Sequence, residues 1–114
     1  MPETSGICIR ILPGVTTASE RLLGTPVSSR LHSGYVCLLP GEAGQQHSTE
    51  AYEEQIVVLE GEGELRAGSE THLLDRDRIA YIPPQTPHFV KNCGEGPLRY
   101  IYIVARVLDA PEAS

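Results

Sequence analysis

The sequence predicts an all-β domain built as an antiparallel sandwich or barrel. Eleven glycines and nine prolines are scattered along the 114 residues instead of being concentrated in one region. Turn-forming residues at this spacing are typical of many short strands joined by tight turns. Residues 16–24 have some helical character, but they hold one short apolar pair and end at Gly24, so we predict an irregular segment there.

Each predicted strand is a short apolar run bounded by glycine, proline or charged turn residues. The runs are rich in Ile, Val and Tyr, which are enriched in strands. In chain order they are residues 7–12, 35–39, 56–59, 64–67, 71–74, 79–82, 89–90 and 98–108.

The length fits one domain. A chain of 114 residues that is 40% hydrophobic and 21% charged has enough apolar side chains for a single core, which excludes disorder as the dominant state. We expect one domain over residues 1–114, with loose polar ends at 1–6 and 109–114.

The last predicted strand, 98–108, is long for a small domain and lies near a terminus. Such a strand is an exposed sheet edge unless another chain covers it. We therefore predict a homodimer that pairs through the terminal strands 7–12 and 98–108 across a largely apolar interface.

The charge balance disfavours polyanionic partners. Nine basic residues against fifteen acidic ones give a net charge of −6, and Lys91 is the one lysine. Without a basic patch to neutralise phosphates, neither nucleic acid nor an anionic membrane surface is an expected partner. No apolar stretch approaches the roughly 18 residues of a spanning helix, so we expect a soluble, cytoplasmic protein.

Three cysteines, Cys8, Cys37 and Cys93, occur without a Cys-x-x-Cys spacing. An odd number of cysteines at such distances suggests neither a disulfide framework nor a thiolate zinc site. We expect reduced, mostly buried thiols.

Two histidines follow turns that open strands, namely His47 and His88, and the first is followed by the acidic pair Glu53 and Glu54. Strand alternation sends neighbouring side chains to opposite faces, so only one carboxylate of this pair can point inward. Two imidazoles and one carboxylate are a workable ligand set for a divalent metal.

In this region the sequence resembles the cupin superfamily, and the resemblance covers most of the chain. The first cupin motif, G-x5-H-x-H-x3-4-E-x6-G, is matched in spacing by Gly41, His47, Thr49, Glu54 and Gly61. The second motif, G-x5-P-x-G-x2-H-x3-N, is matched by Asp77, Pro83, Gln85, His88 and Asn92. Thr49 stands at the second histidine position, and Asp77 and Gln85 stand at two glycine positions. Both motifs in order are a specific signal.

The resemblance implies the cupin fold, an antiparallel double-stranded β-helix or jelly roll with the site inside the barrel. It also implies that His47, Glu54 and His88 are metal ligands, the spacing to Gly61 selecting Glu54 over Glu53. Because Thr49 replaces the fourth ligand, either the ion keeps positions for water or substrate, or metal binding is weakened or lost. Iron, manganese, zinc and nickel all fit these ligand types.

Four further residues are candidates for the pocket. Thr49 lies two residues after His47 and is expected to share its facing. Cys37 lines either the pocket or the core. Tyr100 and Tyr102 share one face of the last strand and either offer hydroxyls to a ligand or are ordinary sheet residues. His32 and His72 match neither motif and are expected to be surface or turn residues.

Three functions fit this pattern. The first is a metal-dependent enzyme, an oxidoreductase of the dioxygenase type or an isomerase, acting on a small organic molecule. The second is a non-catalytic cupin module that binds a small ligand or a metal. The third is a metal-free structural dimer, in which the inward acid and histidines hydrogen-bond to one another. The fold is compatible with all three.

Overall fold

The structure is a computed structural model, and it describes residues 6–14 and 19–107. Within these residues the regular elements are nine strands and no helix. The strands are β1 (Glu20–Leu23), β2 (Leu31–Leu38), β3 (His47–Ser48), β4 (Tyr52–Glu60), β5 (Glu62–Ala67), β6 (Glu70–Asp75), β7 (Ile79–Ile82), β8 (Pro87–Asn92) and β9 (Leu98–Arg106).

The strands form two antiparallel sheets. One sheet has five strands in the order β1-β2-β9-β4-β7, and the other has four in the order β3-β8-β5-β6. Successive strands along the chain often fall in opposite sheets, so the chain winds back and forth between the two layers. The predicted all-β, antiparallel jelly-roll architecture is confirmed.

The last strand is internal, so the prediction of an exposed edge there was wrong. β9 pairs with β2 on one side, from Leu31↔Ala105 to Leu38↔Leu98, and with β4 on the other. Its length has a different cause: two neighbouring strands of eight and nine residues satisfy its backbone on both sides. The edges of this sheet are β1 and β7.

The N-terminal run also differs from the prediction. Residues 7–12 form no strand, and Ile7, Ile9 and Ile11 are 78%, 86% and 87% exposed. The Arg10 guanidinium connects this segment to the β1 edge by donating to the Leu22 carbonyl at 2.6 Å. An alternating apolar pattern shows which side chains share a face, but it does not supply the neighbouring strand that a ladder needs.

The segment 16–24, predicted to be irregular, contains β1 at Glu20–Leu23. The predicted loose termini, 1–6 and 109–114, lie outside the described residues, except for Gly6. A helix capable of crossing a membrane is absent from residues 6–14 and 19–107.

Apolar side chains fill the space between the sheets. The main cluster of buried residues comprises Leu38, Ile56, Val58, Leu65, Leu74, Ile82, Val90, Leu98 and Tyr100. A second cluster, formed by Leu22, Tyr35 and Cys37, is separate from it. The two clusters take alternate residues of β2, so this strand packs apolar side chains on both of its faces.

Candidate metal centre

His47, Glu54 and His88 converge between the two sheets. His47 is the first residue of β3 and lies directly opposite His88 of β8, while Glu54 reaches the same point from β4 in the other sheet. One donor atom from each of the three residues lies within 4.8 Å of the other two. The topology therefore brings together three side chains that are up to 41 residues apart in sequence.

Both imidazoles are oriented by backbone carbonyls. The Nδ1 atom of His47 is 3.1 Å from the Gln45 carbonyl oxygen, and Nδ1 of His88 is 2.9 Å from that of Thr86. A hydrogen bond of this kind places the proton on Nδ1 and leaves Nε2 as the atom available to a metal. Each histidine is thus held by the carbonyl two residues before it.

Glu54 and His88 are buried together. Nε2 of His88 lies 3.1 Å from Oε1 of Glu54, and the side chains are only 2% and 7% exposed. This hydrogen bond to Glu54, supported by the Thr86 carbonyl and opposed by burial, raises the pKa of His88 above its usual value of 6.5. Without an ion, a proton on Nε2 therefore links the two side chains.

The donor set fits a divalent ion. Two ligands at right angles, each about 2.1 Å from a common ion, stand roughly 3 Å apart, which is close to the Glu54–His88 separation. Two neutral imidazole nitrogens and one carboxylate suit iron, manganese, zinc or nickel, whose site selectivity depends on geometry as well as ligand type. An ion here would take the place of the shared proton.

The neighbouring acid points elsewhere. Glu53 is exposed, and its carboxylate accepts a hydrogen bond from the Tyr81 hydroxyl at 3.0 Å. Glu54, one residue later, is 6% exposed and faces the histidines. This is the alternation of a β-strand.

The two other histidines lie outside the cluster. His72 is exposed and contacts Glu70 at 2.8 Å. His32 packs edge-on against Tyr52, with ring centroids 6.0 Å apart.

Thr49 lies one residue beyond the end of β3 and is 6% exposed. Its hydroxyl donates to the Pro83 carbonyl at 2.7 Å and accepts from the Thr86 amide at 3.1 Å. Thr49 lines a cavity together with His47 and Glu54, and its hydroxyl is engaged by the loop that precedes β8. Through Thr86, Thr49 helps to fix the carbonyl that orients His88.

A cavity of about 410 Å³ opens beside the cluster, and we call it the main cavity. It is lined by all three candidate ligands and by both candidate tyrosines, Tyr100 and Tyr102. Burial, and then the negative charge of Glu54, raises the pKa of Tyr100, so its phenol stays protonated. Tyr102 lies across Gly34, where any Cβ would collide with its ring.

Of the two positions predicted for Cys37, the pocket and the core, the structure shows the core. Cys37 is 3% exposed and belongs to the second cluster, with Leu22 and Tyr35. The physical reason is the alternation along β2, where Val36 and Leu38 line the main cavity and Cys37 therefore faces the other way. Its thiol is a core group, and Cys8 and Cys93 are exposed free thiols.

Comparison with known families identifies this arrangement. The family model for the Cupin domain (Cupin_2) matches residues 34–104, which include all three candidate ligands. The chain belongs to the cupin family.

This cupin is similar to a polyketide synthase protein. The tetracenomycin polyketide synthase protein TcmJ of Streptomyces glaucescens is 28% identical over 97 residues, which are 82% of this chain and 65% of TcmJ. The cupin therefore spans less than two thirds of that relative's length.

Solved structures share the fold. The protein TT1209 from Thermus thermophilus has a TM-score of 0.70 at 30% identity, covering 78% of this chain and 82% of TT1209. An RmlC-like cupin with a double-stranded β-helix fold, from Methanocaldococcus jannaschii, has a TM-score of 0.72 at 20% identity, covering 82% of this chain and 83% of that protein. The cupin thus has the double-stranded β-helix fold predicted from its sequence.

The two residues that replace glycine in the second cupin motif still adopt a backbone conformation typical of glycine. Asp77 and Gln85 have φ angles of 76° and 58°, the left-handed region that glycine adopts without strain. Gly41 and Gly61 of the first motif have φ angles of 84° and 99°. The turns of this cupin therefore keep a glycine-like shape even where the residue is not glycine.

Part of the site was not predicted from the sequence. Ile56 and Val104 line the main cavity. Alternation could have indicated both, since Ile56 lies two residues after Glu54 and Val104 two residues after Tyr102. The carbonyls of Gln45 and Thr86, which orient the histidines, leave no signal in residue type because any residue has a carbonyl.

Proposed function

We propose that this cupin is a metal-dependent enzyme acting on a small organic molecule, with oxygenase or isomerase chemistry. His47, Glu54 and His88 would hold one divalent ion. The observation that carries the proposal is the convergence of two carbonyl-oriented imidazoles and one buried carboxylate at the wall of a cavity of about 410 Å³. Cavities of roughly 300–1,000 Å³ are the usual size for small-molecule sites.

Iron, manganese, zinc and nickel remain the candidate ions. When bound, the ion supplies Lewis-acid or redox chemistry at an oxygen of the substrate. Two histidines and one carboxylate form a set that leaves coordination positions open, which is the arrangement of non-haem iron oxygenases. An oxidoreductase activity is therefore the first one to test.

The chain's own residues supply the rest of the site. The apolar walls exclude water from the substrate. Tyr100, kept protonated by burial, can donate a hydrogen bond inside the cavity. Thr49 and Thr86 hold the loop that orients His88. The similarity to a polyketide synthase protein supports a substrate that is a small organic molecule.

A non-catalytic binding module is the second candidate, and one observation favours it. Nε2 of His88 and Oε1 of Glu54 lie at hydrogen-bonding distance, 3.1 Å, so these two buried groups can satisfy each other. A cupin of this kind would hold a ligand without converting it, or would serve as a metal-free structural dimer.

One experiment separates these functions. The chelator-treated protein is reconstituted with Fe²⁺, Mn²⁺, Zn²⁺ or Ni²⁺ in turn and incubated with a panel of small organic molecules, while loss of each molecule and oxygen uptake are followed. Multiple turnovers that require the metal and disappear in Glu54→Gln support the enzyme. Stoichiometric retention of a compound without conversion supports the binding module and contradicts the enzyme.

A homodimer is also part of the proposal, although its predicted interface changes. β9 is internal and cannot pair with another chain. The exposed isoleucines of residues 7–11 are the apolar surface that a second copy would cover. The cytoplasmic location stays a prediction.

A further inference from the structure

Apart from the three candidate ligands and the two tyrosines, the walls of the main cavity are largely apolar. Beyond the candidate ligands, its described lining includes Val36, Leu38, Ile56, Phe89, Val90 and Val104. Neither lysine nor arginine is found among the described residues that line it. The acid there is Glu54, and the His88 imidazole is already engaged by its carboxylate, so this pair offers no unpaired cation to an anionic ligand.

This charge pattern selects against anionic substrates. Moving a carboxylate or a phosphate from water into such a space is strongly unfavourable unless a cation or several donors meet it. A bound divalent ion would coordinate one anionic oxygen of the substrate, but the Glu54 carboxylate already neutralises part of the charge of the ion. A second carboxylate, or a phosphate, would lie against aliphatic walls without a partner.

Two hydroxyls face the cavity with their hydrogen-bonding capacity unused. Tyr100 and Tyr102 both line it, and neither forms a hydrogen bond with any of the described residues. Tyr100 is only 7% exposed, and Tyr102 is held over Gly34. Since none of the fully buried side-chain oxygens of the described residues lacks a partner, these two hydroxyls are open to the cavity and can bond to a polar atom of a ligand.

We infer that the main cavity takes an uncharged, largely apolar organic molecule that carries an oxygen able to bond to Tyr100 or Tyr102, and that it excludes small dicarboxylates and phosphorylated compounds. This inference rests on the proposed function, because it names the substrate class of the same site.

A neighbouring cavity provides the competing arrangement. It shares His47, Glu54 and Tyr102 with the main cavity but is also lined by Arg21 and His32. A guanidinium there could meet an anionic group that approaches the cluster from that side. Arg21→Ala therefore tests whether an anion uses this second route.

The test compares 2-naphthol with 2-naphthoate, which has the same rings and a carboxylate in place of the hydroxyl, and with oxalate. Binding to the Zn²⁺-loaded and the metal-free protein is measured by calorimetry and by tyrosine ring signals in NMR spectra. We expect saturable binding of 2-naphthol in both forms, with 2-naphthoate at least tenfold weaker in the metal-free protein. Oxalate should show no binding without the metal.

Three variants locate the contact. Tyr100→Phe and Tyr102→Phe together should weaken 2-naphthol binding by roughly threefold to tenfold, the range expected for a lost hydrogen bond. Tyr81→Phe is the matched control, because the Tyr81 hydroxyl bonds to Glu53 outside the main cavity. Arg21→Ala should not change 2-naphthol binding.

The outcomes separate this inference from the proposed function. Binding of 2-naphthol that depends on the two tyrosines supports the ligand class even if the protein binds no metal. Failure to bind metal would contradict only the proposed metal-dependent enzyme. The ligand class would be overturned if the metal-binding protein bound 2-naphthoate or oxalate at least as tightly as it binds 2-naphthol. If Arg21→Ala abolishes this anion binding, the anion binds in the neighbouring cavity that Arg21 lines.

Discussion

His47 and His88 lie directly opposite each other on β3 and β8, with ring centroids 4.6 Å apart. Each ring is oriented by a hydrogen bond to the backbone carbonyl of the residue two positions earlier. In each ring Nδ1 therefore faces the orienting carbonyl, which leaves Nε2 on the opposite side of the ring. Because strand side chains alternate with a period of two, a one-residue slip of either strand would turn its histidine away. The pairing register of two short strands thus determines whether the site exists.

Glu54→Gln should lower metal affinity by roughly 100-fold or more, since losing even a group that merely supports a ligand costs about 10–100-fold. The measurement is competition for Zn²⁺ against a chelator of known affinity. Glu53→Gln is the matched control, because Glu53 is exposed and bonds to Tyr81. An equal loss of affinity in Glu53→Gln would show that the carboxylate is assigned to the wrong residue.

Metal affinity should fall on acidification, and the fall should begin above the usual histidine range. Ligation needs a neutral imidazole, so protons compete with the metal. The hydrogen bond to Glu54 raises the pKa of His88 above 6.5, and a raised pKa means that His88 takes up its proton at a higher pH. Affinity should therefore be full above that raised pKa and decrease steadily below it.

This pH dependence is measured by chelator competition from pH 9 to pH 5, with the His88 pKa followed by NMR in the metal-free protein. Glu54→Gln removes the hydrogen-bonded carboxylate, so the His88 pKa should move down in that variant. Constant metal occupancy to well below about pH 6.5 would be incompatible with histidine ligation.

Thr49→Val should destabilise the protein by about 1–3 kcal/mol, because it leaves the Pro83 carbonyl and the Thr86 amide without their partner. Metal affinity should fall with it, since the Thr86 carbonyl orients His88. Thr49→Ser keeps the hydroxyl and should stay close to the wild type in both denaturant titration and Zn²⁺ binding. If Thr49→Val binds metal normally, the loop does not orient the histidine.

Gln85→Gly should raise the free energy of unfolding by up to about 1 kcal/mol, because glycine adopts a φ of 58° without the steric cost that Gln85 bears. Gln85→Val should lower it, since a branched side chain is the least tolerant of this conformation. Thermal unfolding of the three proteins checks the order. A Gln85→Gly variant less stable than the wild type would show that the glutamine side chain contributes more than its backbone costs.

Light scattering at micromolar concentration should give the mass of two chains. If residues 7–11 form the interface, Ile9→Asp together with Ile11→Asp should shift the mass to one chain, because charges would be buried against an apolar surface. Ile79→Asp, on the exposed face of β7, is the control and should leave the dimer intact. A monomeric wild type would contradict the dimer, and a dimer that survives the Ile9 and Ile11 changes would move the interface elsewhere.

The fold class could be predicted because turn residues punctuate the strands. The three candidate ligands were predicted through the resemblance to the two cupin motifs, in which the spacing to Gly61 selects Glu54, while alternation required only that Glu53 and Glu54 face opposite sides. The spatial neighbours of β9 could not be predicted in this way, since pairing with β2 and β4 depends on contacts distant in sequence. The same holds for residues 7–12, whose alternating pattern has no ladder to complete.

Cys37 and Thr49 show two other limits. β2 is apolar on both faces, so its pattern cannot reveal which face meets the cavity and which meets the second cluster. The hydroxyl of Thr49 bonds to a loop more than thirty residues away in sequence, at Pro83 and Thr86. Its residue type indicates a hydroxyl but not its partner.

Elemental analysis of protein purified without chelator or a nickel affinity column tests the metal centre most directly. We predict one divalent metal in an amount equimolar with the chain, absent from a His47→Ala, His88→Ala variant that remains folded by circular dichroism. A wild-type protein that contains no metal and takes up none of Fe²⁺, Mn²⁺, Zn²⁺ or Ni²⁺ would contradict it, as would full metal occupancy in the variant.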